Sequence, residues 1–196
     1  MMRIADALAA FKPHRGDAIV VPGRGGKFWV ELTDNEKLDV PLGDPAMGGH
    51  AGFALGLALA QPNRKVVLFD SEGDILMSLG MLTTIAEQAP RNFYHFLLDN
   101  EVYATTGGQP VPNAKNVKYD RLALAAGYPR AQAFDKLDDL DRALPQIMGG
   151  PGPVFVALKV YPEIENAPIG SRRRWNTRGR TDVVADLQKK LGISAG

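Results

Sequence analysis

Short apolar runs alternate with helical stretches along this chain, and this alternation limits its fold more than any other feature. The runs are rich in β-branched or aromatic residues, as strands buried on both faces are: DAIVVPG, KVVLFD, FYHFLLDN, RAQAFD and GPVFVALKV. The helical stretches are GGHAGFALGLALAQ, DILMSLGMLTTIAEQA, KLDDLDRALPQIM and TDVVADLQKKL. Strands and helices that alternate in this way form βαβ units. The sequence therefore predicts a three-layer α/β/α fold with a mostly parallel sheet.

Length and composition narrow the class of protein. The 196 residues suit one domain, and we expect a single α/β domain over residues 1–180 and a C-terminal helix and tail over 181–196. Basic and acidic residues nearly balance, 23 against 22, so nothing supports a nucleic-acid or membrane-surface partner. The absence of cysteine excludes disulfides and thiol chemistry. Without an apolar membrane span or signal peptide, the chain is expected to be cytoplasmic.

Two stretches lack regular periodicity. Residues 101–118 directly follow a predicted strand, and a loop of this length in a compact domain is usually functional or mobile. Residues 162–180 contain the sequence SRRRWNTRGR and are locally basic. A solvated basic segment and a specific phosphate or subunit contact both explain this tail.

Oxygen-bearing side chains follow two neighbouring strands. Asp70, Glu72 and Asp74 surround Gly73 after KVVLF, and Asn100 ends the strand that follows. One strand–helix–strand unit separates the two turns, so they are expected to lie side by side at the carboxyl edge of the sheet, where ligands bind. Carboxylate and amide oxygens suit Mg²⁺ bound together with phosphate. Ordinary helix capping and turn formation are the alternative.

Three motifs in order carry a resemblance to a known family: AMGGHAGFALGLALAQPNRKVVLFD, DSEGDILMSLGMLTTI and FLLDNEVYATTGGQP. Together they resemble the diphosphate-binding domain of thiamine-diphosphate enzymes, in particular the sulfopyruvate and phosphonopyruvate decarboxylase group. The resemblance is strongest over residues 43–110. It implies the thiamine-diphosphate-binding fold, thiamine diphosphate and Mg²⁺ as cofactors, and a role as a subunit of a decarboxylase acting on a small 2-oxo acid.

The resemblance also implies roles for individual positions. The metal ligands would be Glu72, Asn100 and the main-chain carbonyl of Val102. The positions implied to bind the cofactor are Pro45, Ala46, Met47, Gly48, Ser71, Gly73, Asp74, Thr105, Thr106 and Gly107. Among these, Met47 would support the bent cofactor, and the backbone N–H groups of Gly73 and Asp74 would face the diphosphate. The threonines and Gly107 would belong to a loop that closes over the site.

The metal and diphosphate turn departs from the family pattern. Ser71-Glu72-Gly73 stands where the family has Gly-Asp-Gly, and the longer Glu72 side chain displaces a ligand of Mg²⁺, which demands near-octahedral geometry. Asp74 would bring a carboxylate toward the anionic diphosphate, unless its side chain caps the helix. A degenerate site on a structural or regulatory subunit is therefore the second interpretation. An unrelated α/β domain that binds a nucleotide or phosphate is the third.

Cofactor activation in this family needs a Glu on a separate pyrimidine-binding domain. This chain has room for one domain, so the resemblance implies a partner subunit carrying that domain, a homo- or hetero-oligomer, and no activity for the chain alone. His50, early in the helix after Met47, is the candidate catalytic residue, for a substrate or acid–base role. Arg24 and Lys27 could meet an anionic group of the substrate; a solvated turn explains them equally well.

Overall fold

The computed structural model describes residues 1–23, 27–41, 47–164, 166–168, 171 and 178–193. The helices are α1 (Ile4–Phe11), α2 (Trp29–Leu32), α3 (His50–Ala60), α4 (Glu72–Met77), α5 (Met81–Gln88), α6 (Tyr119–Ala125), α7 (Leu137–Gly149) and α8 (Arg180–Lys190). The strands are β1 (Ile19–Pro22), β2 (Val66–Ser71), β3 (Phe93–Asp99), β4 (Val102–Tyr103), β5 (Gln109–Pro110), β6 (Arg130–Phe134) and β7 (Val154–Lys159). The predicted roles of Arg24, Pro45 and Ala46 lie outside the described residues.

The main sheet is parallel throughout, with strand order β1-β2-β3-β7-β6. Ser71 at the end of β2 pairs with Leu98 near the end of β3, so the turns that follow these strands leave the sheet side by side. This confirms the predicted parallel sheet and the adjacency of the two oxygen-bearing turns.

Apolar side chains fill both faces of the sheet. One cluster includes core residues of α3, α5, α6 and α8, and a second includes those of α1, α2 and α7. In the second cluster, Phe11 contacts Trp29, Phe69 and Phe96 with ring centroids 5.2 to 5.6 Å apart. Helices on both faces of a parallel sheet confirm the three-layer α/β/α fold.

The predicted strands are all present, but the helices differ in part. The stretch DILMSLGMLTTIAEQA was expected to form one helix and instead forms α4 and α5, separated by Ser78–Gly80. Ser78 leaves the helical region with φ −137° and ψ 44°, because serine and glycine are weak helix formers. The stretch 101–118 was expected to lack regular structure, yet it contains the β4–β5 hairpin. Helices α1, α2 and α6 were not predicted.

The C-terminal helix packs on the domain. Val183 and Leu187 of α8 are buried in the first apolar cluster. Before the helix, Arg178 donates to the Asp186 carboxylate at 2.8 Å and to the carbonyl oxygen of Asp39 at 3.1 Å. The division of the chain at residue 180 stays a prediction. Within the described ranges, no helix combines the length and the apolar character needed to cross a membrane.

Candidate functional site

A pocket opens at the carboxyl ends of β2 and β3. It encloses about 710 Å³ when the open space at its mouth is included. Most of the predicted cofactor and metal positions within the described residues line it: Met47, Ser71, Gly73, Asp74, Asn100, Val102, Thr105 and Thr106. Lys27 and Tyr103 line it as well. Glu72, Gly48, Gly107 and His50 are not among its lining residues.

Ser71 and Asp74 form a reciprocal pair of hydrogen bonds that caps the start of α4. The Ser71 hydroxyl accepts the Asp74 backbone N–H at 3.3 Å and donates to the Asp74 carboxylate at 2.9 Å. The same carboxylate accepts the Gly48 N–H at 2.9 Å, and only 2% of the Asp74 side chain is exposed. Burial raises the pKa of Asp74, and the nearby Asp70 charge adds to this shift. The structure thus holds the Asp74 carboxylate beside the glycine turn, at the wall of the pocket.

Glu72 is buried beneath the turn that follows β3. Its carboxylate accepts the backbone N–H of Asn100 at 3.0 Å, and 1% of the residue is exposed. Burial raises the pKa of Glu72 to about 8, the charge of Asp99 adds to the shift, and backbone N–H groups oppose it. Glu72 therefore connects the two turns directly, as the spacing predicts.

The turn that carries Asn100 is held in an uncommon backbone conformation. Glu101 has φ +68°, in the left-handed region that non-glycine residues rarely occupy. Its carboxylate contacts the Lys159 ammonium at 2.8 Å and also Lys115. The Asn100 side-chain oxygen accepts the Val102 N–H at 2.9 Å, which fixes the turn further. Sequence reasoning missed Glu101, although a non-glycine residue between two predicted ligands was a usable signal.

Tyr103 and the threonine–glycine loop close one side of the pocket. A Cβ atom on Gly73 would lie 2.9 Å from the Tyr103 ring, so this close approach requires glycine. In the loop, the Thr106 hydroxyl donates to the Gln109 side-chain oxygen at 2.9 Å, and the Gln109 amide donates back to the Thr106 carbonyl. Gly107 has φ +111°, which gives the loop its reversal. Tyr103 was not predicted as a site residue.

Met47 and His50 lie on opposite sides of the glycine turn. Met47 is 53% exposed at the pocket, where a supporting side chain is expected. Gly48 has φ +72°, which redirects the chain into α3. His50 begins α3 but is 1% exposed, with its Nδ1 3.6 Å from Asp74 Oδ2. The structure thus places His50 behind the turn, and its catalytic role stays a prediction.

The donor chemistry of the site fits a diphosphate held through Mg²⁺. Asn100 and Val102 line the pocket and possess an amide oxygen and a main-chain carbonyl, and the Glu72 carboxylate accepts the backbone N–H of Asn100 in the same turn. These are hard oxygen ligands of the kind that Mg²⁺ prefers. Gly73 has no side chain at the pocket wall, and the neighbouring Asp74 carboxylate is held by the Gly48 N–H and the Ser71 hydroxyl.

Comparison with known families agrees with this geometry. Residues 32–158 match the family model described as thiamine pyrophosphate enzyme, C-terminal TPP binding domain. The chain belongs to this family. Membership excludes the interpretation as an unrelated α/β domain, and it confirms the thiamine-diphosphate-binding fold expected from the motifs.

Individual relatives place the chain more closely. It is 36% identical over 157 residues to phosphonopyruvate decarboxylase of Streptomyces viridochromogenes, covering 80% of this chain and 38% of the relative. It is 38% identical over 124 residues to sulfopyruvate decarboxylase subunit beta of Methanothermobacter thermautotrophicus, covering 63% of each chain. The chain thus spans less than two thirds of either relative.

A solved structure shares the fold. The thiamine diphosphate-dependent 4-hydroxybenzoylformate decarboxylase of Rhodococcus jostii RHA1 aligns with a TM-score of 0.63 at 16% identity. The alignment covers 84% of this chain and 33% of that chain. The fold found here therefore occurs as one part of a larger enzyme.

Proposed function

We propose that this chain is the diphosphate-binding subunit of a cytoplasmic, thiamine-diphosphate- and Mg²⁺-dependent decarboxylase of 2-oxo acids. The observation that carries the proposal is the shared pocket, where Gly73, Asn100 and Val102 meet at the carboxyl ends of two adjacent parallel strands. Membership of the C-terminal TPP-binding family and the decarboxylase names of the relatives support it.

Each residue of the site has a defined task in this proposal. Bound thiamine diphosphate supplies the carbanion and the electron sink for the loss of CO₂. Glu72, Asn100 and the Val102 carbonyl hold Mg²⁺, and the Gly73 backbone lies against the diphosphate. Met47, which also lines the pocket, would support the cofactor. Glu72 would hold the metal as an ionised carboxylate, and in this structure that carboxylate accepts the Asn100 N–H.

A partner subunit is the second part of the proposal. The Methanothermobacter relative is named as a beta subunit, and the alignment covers the same fraction of both chains. Helix α3 is apolar around its whole circumference, a pattern typical of helices buried on all sides. Phe53 and Leu59 of α3 are nevertheless exposed. Met77 and Leu79, which follow the turn with Glu72 and Gly73 along the chain, are exposed as well. We infer that a chain with a pyrimidine-binding domain covers these side chains in a hetero-oligomer.

Titration tests the cofactor assignment. Isothermal calorimetry of the purified chain with thiamine diphosphate is expected to show binding that requires Mg²⁺ and becomes tighter when the pyrimidine-domain partner is present. Decarboxylation of a 2-oxo acid is expected only from the mixture of both chains. Failure to bind thiamine diphosphate, with or without the partner, would support the alternative of a degenerate site on a structural subunit. The observation that favours this alternative is the sequence Ser71-Glu72-Gly73, where the family has Gly-Asp-Gly.

Lys27 gives a prediction about the class of substrate. It lines the pocket, so we propose that its ammonium binds a second anionic group on the 2-oxo acid. A charge-assisted hydrogen bond contributes about 1.5–3 kcal/mol. Lys27→Met is therefore expected to raise KM for such a substrate at least about 10-fold and to change kcat little. Steady-state kinetics of the reconstituted enzyme measure this, with Lys189→Met on the exposed side of α8 as the matched control. Equal KM values for the two variants would contradict the assignment.

A further inference from the structure

Behind the α4 turn lies a buried polar cluster that the proposed cofactor chemistry does not use. It consists of His50, Asp70 and Asp74, which are 1%, 1% and 3% exposed. One potential ligand atom from each residue lies within 4.8 Å of those from the other two. Asp74 lines the cofactor pocket, but His50 and Asp70 do not, and the cluster shares no residue with the set of Glu72, Asn100 and Val102.

The imidazole of His50 points to a ligand. Neither of its ring nitrogens has a hydrogen-bond partner among the described residues, although the side chain is almost fully buried. A buried polar group without a partner is costly. The Nδ1 atom is 3.6 Å from Asp74 Oδ2, too far for a hydrogen bond. Two atoms that each bind one ion at about 2.1 Å are about 3.0–3.4 Å apart, so a small contraction would place both on a shared ion.

The charge of the cluster also favours a cation. Asp70 and Asp74 bring two carboxylates together in the protein interior, and a cation between them would offset their mutual repulsion. A protonated His50 would donate hydrogen bonds from both nitrogens, and the described residues provide no acceptor at hydrogen-bond distance. A divalent cation instead offsets both carboxylates and accepts a lone pair from the neutral imidazole.

The carboxylates are already oriented by hydrogen bonds from their surroundings. Asp70 accepts the Ser71 N–H at 2.9 Å, and its other oxygen lies 3.2 Å from His95 Nε2. The second nitrogen of His95 lies 3.2 Å from the Tyr128 hydroxyl. Asp74 is held by the Gly48 N–H and the Ser71 hydroxyl. Groups that fix ligand orientation in this way are typical of metal sites.

We propose that His50, Asp70 and Asp74 bind a divalent first-row transition metal ion, such as Zn²⁺, at a structural site separate from the Mg²⁺–diphosphate site. One imidazole and two carboxylates match the ligand preferences of these ions, whereas Mg²⁺ is bound mainly by oxygen. The ion would join the first residue of α3 to the first turn of α4. It would thereby fix the Gly48 turn next to Met47.

Metal binding by the untagged chain, measured without thiamine diphosphate or Mg²⁺, tests this proposal. Co²⁺ is expected to bind with one ion per chain and visible d–d absorption, and Zn²⁺ is expected to displace it and raise Tm. His50→Leu should fold, because it removes an unpartnered polar group, and should weaken Co²⁺ binding at least about 100-fold. His14→Leu, away from the cluster, should bind as the unmodified chain does.

Two further variants make the outcome decisive. Asp70→Asn removes a ligand charge without changing side-chain size, and it should also lose stoichiometric Co²⁺ binding. This variant provides the test if His50→Leu does not fold. Glu72→Gln should keep Co²⁺ binding while losing Mg²⁺-dependent cofactor binding, so failure at one site is distinguishable from failure at the other. The proposal is overturned if the unmodified chain binds neither Co²⁺ nor Zn²⁺ stoichiometrically, or if folded His50→Leu binds Co²⁺ equally well.

Discussion

Glu72→Gln is expected to give a chain that is more stable by itself and inactive in the reconstituted enzyme. Burial raises the pKa of Glu72 to about 8, well above its value in an unfolded chain. Ionised Glu72 therefore destabilises the fold, and the cost increases as pH rises from about 4.5 to about 8. Glutamine avoids that cost and still accepts the Asn100 N–H. The gain is expected to be absent at pH 4 and to reach a few kcal/mol at pH 8.

The same substitution removes the only carboxylate proposed to bind Mg²⁺. Mg²⁺-dependent affinity for thiamine diphosphate is expected to fall at least about 100-fold, with decarboxylation falling in parallel. Urea unfolding across this pH range and calorimetric titration measure the two effects. Glu72→Asp retains the charge and should keep cofactor binding, whereas exposed Glu87→Gln should change neither property. Normal cofactor binding by the Glu72→Gln variant would show that Glu72 is not a metal ligand.

The order of elements along the chain was sufficient to predict the layers and the adjacency of the two turns. Strands buried on both faces are apolar along their length, so they are recognisable in the sequence. Parallel pairing then places the carboxyl ends of β2 and β3 at one edge of the sheet. Asn100 and Glu72 were predicted neighbours, and the N–H to carboxylate distance of 3.0 Å confirms their proximity. Local apolar periodicity, together with the rule that parallel strands end at one edge of the sheet, was sufficient for these predictions.

The directions of the polar side chains could not be predicted in the same way. Asp74 was expected beside the diphosphate or on the helix end, and its contact with Gly48 depends on a turn 26 residues earlier in the chain. Glu101, which has a positive φ, likewise contacts Lys159, 58 residues later. Sequence spacing does not determine such contacts, because they join segments that are distant along the chain; the Glu101–Lys159 contact, for example, requires the sheet order that places β7 next to β3.

Arg15→Met is expected to destabilise the chain by about 3–5 kcal/mol, because it removes the cation that is hydrogen-bonded to the buried Asp39 carboxylate. Arg15 Nη2 donates to Asp39 Oδ1 at 2.7 Å, with 2% and 6% of the two side chains exposed. The Trp29 indole N–H donates to the same oxygen at 3.0 Å. Val40, next to Asp39, donates its N–H to Val20 of β1, so the pair anchors the segment that precedes the cofactor turn.

The effect of Arg15→Met should depend on pH in a defined direction. Burial raises the pKa of Asp39, and Arg15 opposes that shift, so removal of Arg15 raises the pKa further. Protonation of Asp39 then relieves the unpaired charge, and the loss measured by urea unfolding should be smaller at pH 5 than at pH 8.

Adding Asp39→Asn to Arg15→Met should recover much of the stability, because asparagine is neutral and still accepts from Trp29. Arg64→Met breaks the more exposed pair with Asp17 and should cost no more than about 1 kcal/mol. If Arg15→Met and Arg64→Met lowered the free energy of unfolding equally, the buried Arg15–Asp39 pair would be no more important to stability than the exposed pair.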